Sequence, residues 1–321
     1  QFSTEVNVLL SRYSLTFYQE FGERMETEGG RSEIDFKPRG YLFLGSEKNW
    51  PILVRHQAFQ KSLGVDTQLL NVKETLQLIP DLNTEDLVGS SFTAGDGYMD
   101  PHSVLQGFVR KARHLGVEYI HQEVVEIVRK GDRLEGVKTK DGTTHSSNSI
   151  VNAAGPYAGE VGKMAGIEIP VVPVRRMVYL VKPPRLFDYD LPLVIDTSGV
   201  YFLHETGRQI LTGKSRKEER PGFNYVWDRN YFQEAIWPSL AHRVPLFDEL
   251  KVVSGWAGLY EVNQWDSNGI IGEHPVVRNF HMAVGFSGHG FQQAPAVGKA
   301  LSEWIRLRRY ETVDVSPLGY E

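Results

Sequence analysis

The passage from Phe280 to Gln293 limits the fold more than any other part of this chain. Phe280, Met282, Val284 and Phe286 alternate, as in a strand with one buried face. Gly285, Gly288 and Gly290 interrupt the run, and Val297, Ala300, Leu301, Trp304 and Ile305 then recur at helical spacing. A strand that turns into a helix through so short a glycine-rich connection belongs to an α/β sheet. Glycines there let backbone N–H groups come close to a ligand, and the helix N-terminus favours partial negative charge. A flat, electron-rich ring that gains charge on reduction suits such a turn. A tight connection with no ligand suits it equally, and the segment alone leaves both open.

Two other motifs nearly fit. Gly285-Phe286-Ser287-Gly288-His289 approaches a nucleophile elbow, but His stands where the second Gly is needed. Gly288-His289-Gly290 starts like a dinucleotide fingerprint, but its third glycine is missing. Both are rejected. Ile150 to Gly159 (IVNAAGPYAG) is a second signal: an apolar strand runs into small residues where a backbone must pass close to something bulky. Close packing of strand and helix explains it as simply when it is taken alone.

Elsewhere the pattern alternates. Leu10, Tyr13, Phe17, Phe21 and Met25 mark an amphipathic helix ending near Gly29-Gly30. Gly40–Leu44 reads as a strand, a helix is predicted from Ser46 to Leu63, and Asn71 with Glu74 forms a capping box. Asp100 caps a helix that Gly116 closes. Strands are expected over 117–121, 124–130, 134–139 and 145–151, with Asp141-Gly142 as a hairpin turn. From Val171 to Gly269 the texture becomes β-rich, with strands over 178–181, 199–203, 209–212 and 251–259 and one helix around 229–242. At 321 residues there is room for two domains. The order implies an α/β domain interrupted by a β-rich one, to which the last segment returns.

Composition narrows the chemistry. A net charge of -5 gives no broad basic surface for nucleic acid. The sequence has no cysteine, which excludes disulfides, thiolate metal sites and a cysteinyl-linked flavin. Its 10 histidines are scattered, so no metal site is expected. No apolar run reaches the length of a membrane span, which leaves only peripheral membrane contact.

NAAGPYAG, DGYMDPHSVLQGF and GFSGHGFQQAPAVGKAL together resemble the D-amino-acid oxidase superfamily of FAD-dependent flavoproteins, which includes sarcosine, glycine and dimethylglycine oxidoreductases. DTSGVYF, the run from Trp237 to Pro275 and FSGHGFQQAP are closer still to a mitochondrial branch linked to assembly of respiratory complex I. The resemblance implies a doubly wound FAD domain over 1–30, 96–175 and 267–321, and a β-sheet substrate domain over 31–95 and 176–266. It puts Val124 and Val125 by the adenine, Ala154 and Gly155 by the phosphate-ribose part, and Gly258, Gly288, His289, Gly290, Phe291 and Gln292 around the flavin ring. Tyr260 would face the substrate, Arg175 or Arg176 would hold its carboxylate, and His289 would tune the ring. His289 also reads as a packed turn residue, and the arginines as a domain-interface pair.

Departures from the family refine these expectations. The family's opening strand, GxGxxG turn and helix are missing, and Gln1-Phe2-Ser3 resembles a point beyond them, so the chain as given is expected to hold FAD poorly by itself. Where sarcosine oxidases carry the flavin-linking cysteine, Gly258 stands here; where they carry lysines beside the flavin, Leu211 and Gln292 stand, with Lys214 three residues beyond Leu211. A cation there favours oxygen reduction, so a dehydrogenase is expected rather than a fast oxidase. The implied substrate is a small amine or N-substituted amino acid. A non-catalytic assembly factor acting on complex I intermediates in mitochondria is the alternative.

Overall fold

The computed structural model describes residues 2–320; Gln1, where the family resemblance begins, lies outside them. Helix α1 (Glu5–Gln19) turns Val6, Leu10, Ser14 and Tyr18 inward and is followed by a single turn, α2 (Phe21–Arg24). Strand β1 (Tyr41–Gly45) leads to α3 (Trp50–Ser62). That helix begins later than the predicted Ser46, because the Ser46 N–H and hydroxyl both donate to the Asn49 side chain and close a turn first. Next come β2 (Thr67–Leu70), α4 (Val72–Leu78) with its Asn71–Glu74 capping box in place, and β3 (Gly89–Thr93). Asp100 caps α5 (Pro101–His114) by accepting from the His102 and Ser103 N–H groups.

The strand expected over 117–121 does not form. Its apolar residues find no ladder partner, and Val117, Tyr119 and Ile120 are exposed. Strands β4 (Val124–Lys130), β5 (Arg133–Thr139) and β6 (Thr144–Ser146) make the meander, with Gly142 at a φ of 89° in the predicted turn. The expected strand over 145–151 is in fact two. Ser147 and Ser149 bond to each other across a bend, and β7 (Ile150–Asn152) enters a different sheet.

After α6 (Ala158–Met164) come β8 (Val171–Lys182), β9 (Leu193–Ile195), β10 (Tyr201–His204) and β11 (Ile210–Gly213). A helical segment follows: α7 (Arg229–Tyr231), a π-helical turn, and α8 (Trp237–Arg243). The chain ends with β12 (Lys251–Asn263), β13 (Ile270–Glu273), β14 (Phe280–Val284) and α9 (Gly290–Leu307). Both β8 and β12 are longer than predicted, since they pair with each other along almost their whole length.

Eight strands form one mixed sheet in the order β12-β8-β11-β10-β9-β1-β3-β2, all drawn from residues 41–93 and 171–263. Side chains alternate across it. Leu42, Leu44, Val194, Phe202, Ile210, Met177 and Tyr179 point to one face, where Phe232, Ile236, Leu240 and Phe247 cover them. Burying each such side chain contributes about 1.5–3 kcal/mol, so this face is the main core. The opposite face carries Tyr41, Leu193, Leu211, Arg176 and Tyr260, which the register places on the same side.

A smaller sheet has the order β13-β14-β7, with β14 central and parallel to β7. The meander packs beside it through Ile127 and Leu134, and the Asn279 side chain bonds the Leu134 backbone in both directions. Helices α1 and α9 pack together on its other side through Leu10, Val297, Ala300 and Leu301. No helix among the described residues is long and apolar enough to cross a membrane.

Candidate active site

Strands β7 and β14 run parallel with Asn152 opposite Met282, so the turns that follow them leave the sheet at the same end. The carboxyl ends of parallel strands are where open α/β sheets bind ligands. After β14 the chain passes Gly285 at φ 75° and Gly288 at φ 99°, backbone states that favour glycine, and enters α9 at Gly290. The turn is tied to β12. The Gly285 N–H donates to the Glu261 carboxylate at 2.9 Å, the Ser287 N–H donates to the Glu261 carbonyl, and the Asn263 N–H donates to the Ser287 hydroxyl. Ser287 is therefore occupied in holding the turn, which agrees with setting aside a nucleophile elbow.

Tyr260 lies directly on this turn. A Cβ added to Gly288 would sit 2.2 Å from a Tyr260 ring carbon, so the close approach requires glycine. Arg176, on the neighbouring strand, places its guanidinium carbon 5.0 Å from the centre of the Tyr260 ring. It faces Gly258 across the β8–β12 pair. Arg176 has no carboxylate partner among the described residues, and its buried Nε has no hydrogen bond. Arg175 points the other way. It is 8% exposed, forms a two-pronged pair with Glu219 and also donates to the Val226 carbonyl. The two arginines thus separate: Arg175 is committed to a carboxylate, while Arg176 donates only to the Arg175 carbonyl, at 2.9 Å, among the described residues.

Between the turn and the open sheet face lies a cavity of about 750 Å³. Tyr260, Gly288, Phe291 and Gln292 line it, together with Tyr41, Leu193, Leu211 and Asp96. Phe291 stacks on Tyr18 at 5.5 Å, and the Tyr18 hydroxyl donates to the Phe291 carbonyl, fixing the first turn of α9. His289 packs edge-on against Phe2, and burial lowers its pKa from the usual histidine value, which favours the neutral ring. Leu211 faces the cavity from β11, while Lys214 lies beyond the end of that strand.

The remaining sequence-predicted residues sit elsewhere. Val124 and Val125 open β4, with Val125 43% exposed, and neither lines the cavity. Ala154 and Gly155 follow β7; the Ala154 N–H bonds the Asn152 side chain, and Gly155 takes a φ of 56°. Sequence reasoning missed Tyr41, Asp96 and Glu261. Asp96 looks like a turn residue in Ala94-Gly95-Asp96-Gly97, and only the β1–β3 pairing shows what it faces.

These features suit a flavin: glycines that admit close approach, a helix N-terminus behind them, and a cavity within the roughly 300–1,000 Å³ range of small-molecule sites. The comparison with protein families agrees, because the model of the DAO family, FAD dependent oxidoreductase, matches residues 3–304. This chain belongs to that family. Members of the family are FAD-dependent, and with no cysteine in the sequence a cysteinyl flavin link is excluded here. The chain is 36% identical to the FAD-dependent oxidoreductase domain-containing protein 1 of Xenopus laevis, covering 100% of this chain and 71% of that protein. It is 27% identical to the mitochondrial dimethylglycine dehydrogenase of Homo sapiens over 93% of this chain and 36% of that protein. Among solved structures, the L-proline dehydrogenase from P. horikoshii matches with a TM-score of 0.89 and 27% identity, over 99% of this chain and 83% of that one.

Proposed function

We propose that this protein oxidises the C–N bond of a small N-substituted amino acid and works as a dehydrogenase. The observation that carries this reading is Arg176, a guanidinium with no carboxylate partner among the described residues, held over Tyr260 beside the Gly288 turn. A fork of N–H donors matches a substrate carboxylate, and Tyr260 supplies a surface on which the rest of the substrate is oriented.

The bound flavin supplies hydride acceptance. Gly288, His289, Gly290, Phe291 and Gln292 would hold its ring, with Gly258 alongside; Ala154 and Gly155 would approach its phosphate-ribose part, and Val124 and Val125 its adenine. His289, kept neutral by burial, adds no charge at the ring. Leu211 leaves the cavity wall next to β11 without a cation. Superoxide-like charge then has no lysine there to support it, which favours passing electrons to an acceptor other than oxygen. On this reading the small sheet and meander belong to the FAD domain and the eight-stranded sheet to the substrate domain. A mitochondrial address fits the kinship with dimethylglycine dehydrogenase.

The test is spectroscopic. Flavin-loaded protein is titrated without oxygen with sarcosine, dimethylglycine and proline. At least one should bleach the flavin bands, and air should restore them slowly. A yellow protein that no amine bleaches sinks the enzyme reading and leaves a non-catalytic role in respiratory complex I assembly as the better account.

A further inference from the structure

Of the charged side chains that line the cavity, Arg12 and Asp66 are exposed and Asp96 is half-buried, and the family comparison gives Asp96 no role. Asp96 follows β3 and reaches the same space as Tyr41, Tyr260 and Leu211. Its position is fixed by the backbone. The Asp96 N–H donates to the Thr93 carbonyl, and its own carbonyl accepts from Gly40 at 2.8 Å. The next residue is pressed against the chain: a Cβ on Gly97 would lie 2.1 Å from the Lys37 carbonyl oxygen. The side chain itself has no hydrogen bond or ion pair among the described residues. Cations of the adjoining segment are already matched, Lys37 with Asp35 and Arg39 with Asp190. Arg12, a cation at the cavity wall, donates to the Leu63 carbonyl.

A carboxylate withdrawn from water without a partner costs free energy, and it regains much of that when a cation arrives. Burial raises the Asp96 pKa above the ordinary aspartate value. Tyr41 and Tyr260 line the cavity with Asp96, and Arg176 lies against the Tyr260 ring from the neighbouring strand.

We propose that Asp96 is the residue that recognises the substrate's positively charged nitrogen, so that the site selects zwitterions with Arg176 and Asp96 as its two poles. This deepens the amino-acid reading above and rests on it. It also makes Asp96 a specificity residue: a ligand with the carboxylate but no cationic nitrogen should be refused.

The experiment compares two ligands of nearly the same shape that the flavin does not oxidise, glycine betaine and 3,3-dimethylbutanoate. The first carries a quaternary nitrogen where the second has a neutral carbon. Isothermal titration calorimetry on flavin-loaded protein should show a preference for betaine of about tenfold or more, the worth of one charged contact. Asp96→Asn should abolish that preference by weakening betaine alone, and Asp96→Glu should keep part of it. The proposal is overturned if the unmodified protein shows no preference or binds neither ligand. It is also overturned if Asp96→Asn keeps the preference or weakens both ligands alike. The amino-acid reading fails separately: Arg176→Met should weaken both ligands equally, and no change there removes the carboxylate pole whatever Asp96 does.

Discussion

The two faces of the eight-stranded sheet carry alternate residues of the same strands and are put to opposite uses. On the covered face, Leu42, Val194, Phe202, Ile210 and Tyr179 are fully buried, and the charged side chain that enters most deeply is matched. Arg243, 1% exposed, is paired with Asp196 and Asp86 and also donates to the Asn83 carbonyl. On the other face, among the described residues, Arg176 has no carboxylate and Asp96 at its border no cation, and Tyr260 remains 38% exposed. Unmatched charge is expensive wherever it stays dry. Its concentration on one face therefore marks the side that expects a ligand, while the matched face holds the fold together.

The largest effect that can break this contrast is at Arg243. Arg243→Met keeps the length of the side chain but leaves Asp196, itself 6% exposed, without its partner. Breaking a buried pair from one side costs about 3–5 kcal/mol, so urea unfolding should show a loss of that order. Folded protein that remains should bind flavin as before. If flavin binding falls while stability holds, the two faces are not separate in function.

Gly288→Ala addresses the opposite face. Its φ of 99° is strained for any residue with a Cβ, at about 1–3 kcal/mol, and the new methyl group meets the Tyr260 ring. The expected result is a modest fall in thermal stability with a fall in flavin content of roughly tenfold or more. Adding Tyr260→Ala restores room but not backbone freedom. If the double variant recovers its flavin, the contact matters; if it does not, the backbone does.

How far the sequence already showed this division depends on the range of each signal. The Gly285–Gly290 turn, the Asn71–Glu74 capping box and the Asp141-Gly142 hairpin are local, and their residues state their own geometry. The segment 117–121 has strand-like residues, yet nothing local says that no neighbour waits for it. The pairing of β8 with β12 decides which arginine faces Tyr260, and Arg175 and Arg176 are indistinguishable until that register is known. Asp96 and Tyr41 meet Tyr260 only through the order of a sheet whose strands lie far apart in the chain. A spacing of residues cannot encode such a meeting.

The smallest effect is the sharpest probe of how the faces join. Glu261 bonds the Gly285 N–H from β12, and burial raises its pKa, although the backbone N–H groups of Gly285 and Phe286 oppose that shift. A raised carboxylate pKa means that the folded protein holds the proton more tightly than the unfolded chain. Stability from this group is then greatest at low pH and falls as pH rises from the ordinary glutamate value through the folded one. Glu261→Gln keeps an acceptor for Gly285 and removes the buried charge. At neutral pH it should leave stability unchanged or raise it by up to about 1 kcal/mol. It should also flatten the pH dependence above about 4.5, the ordinary value of the group. A loss of stability at neutral pH would mean that the charge itself is needed at the turn, and that the flavin side, like the covered face, depends on a matched ion.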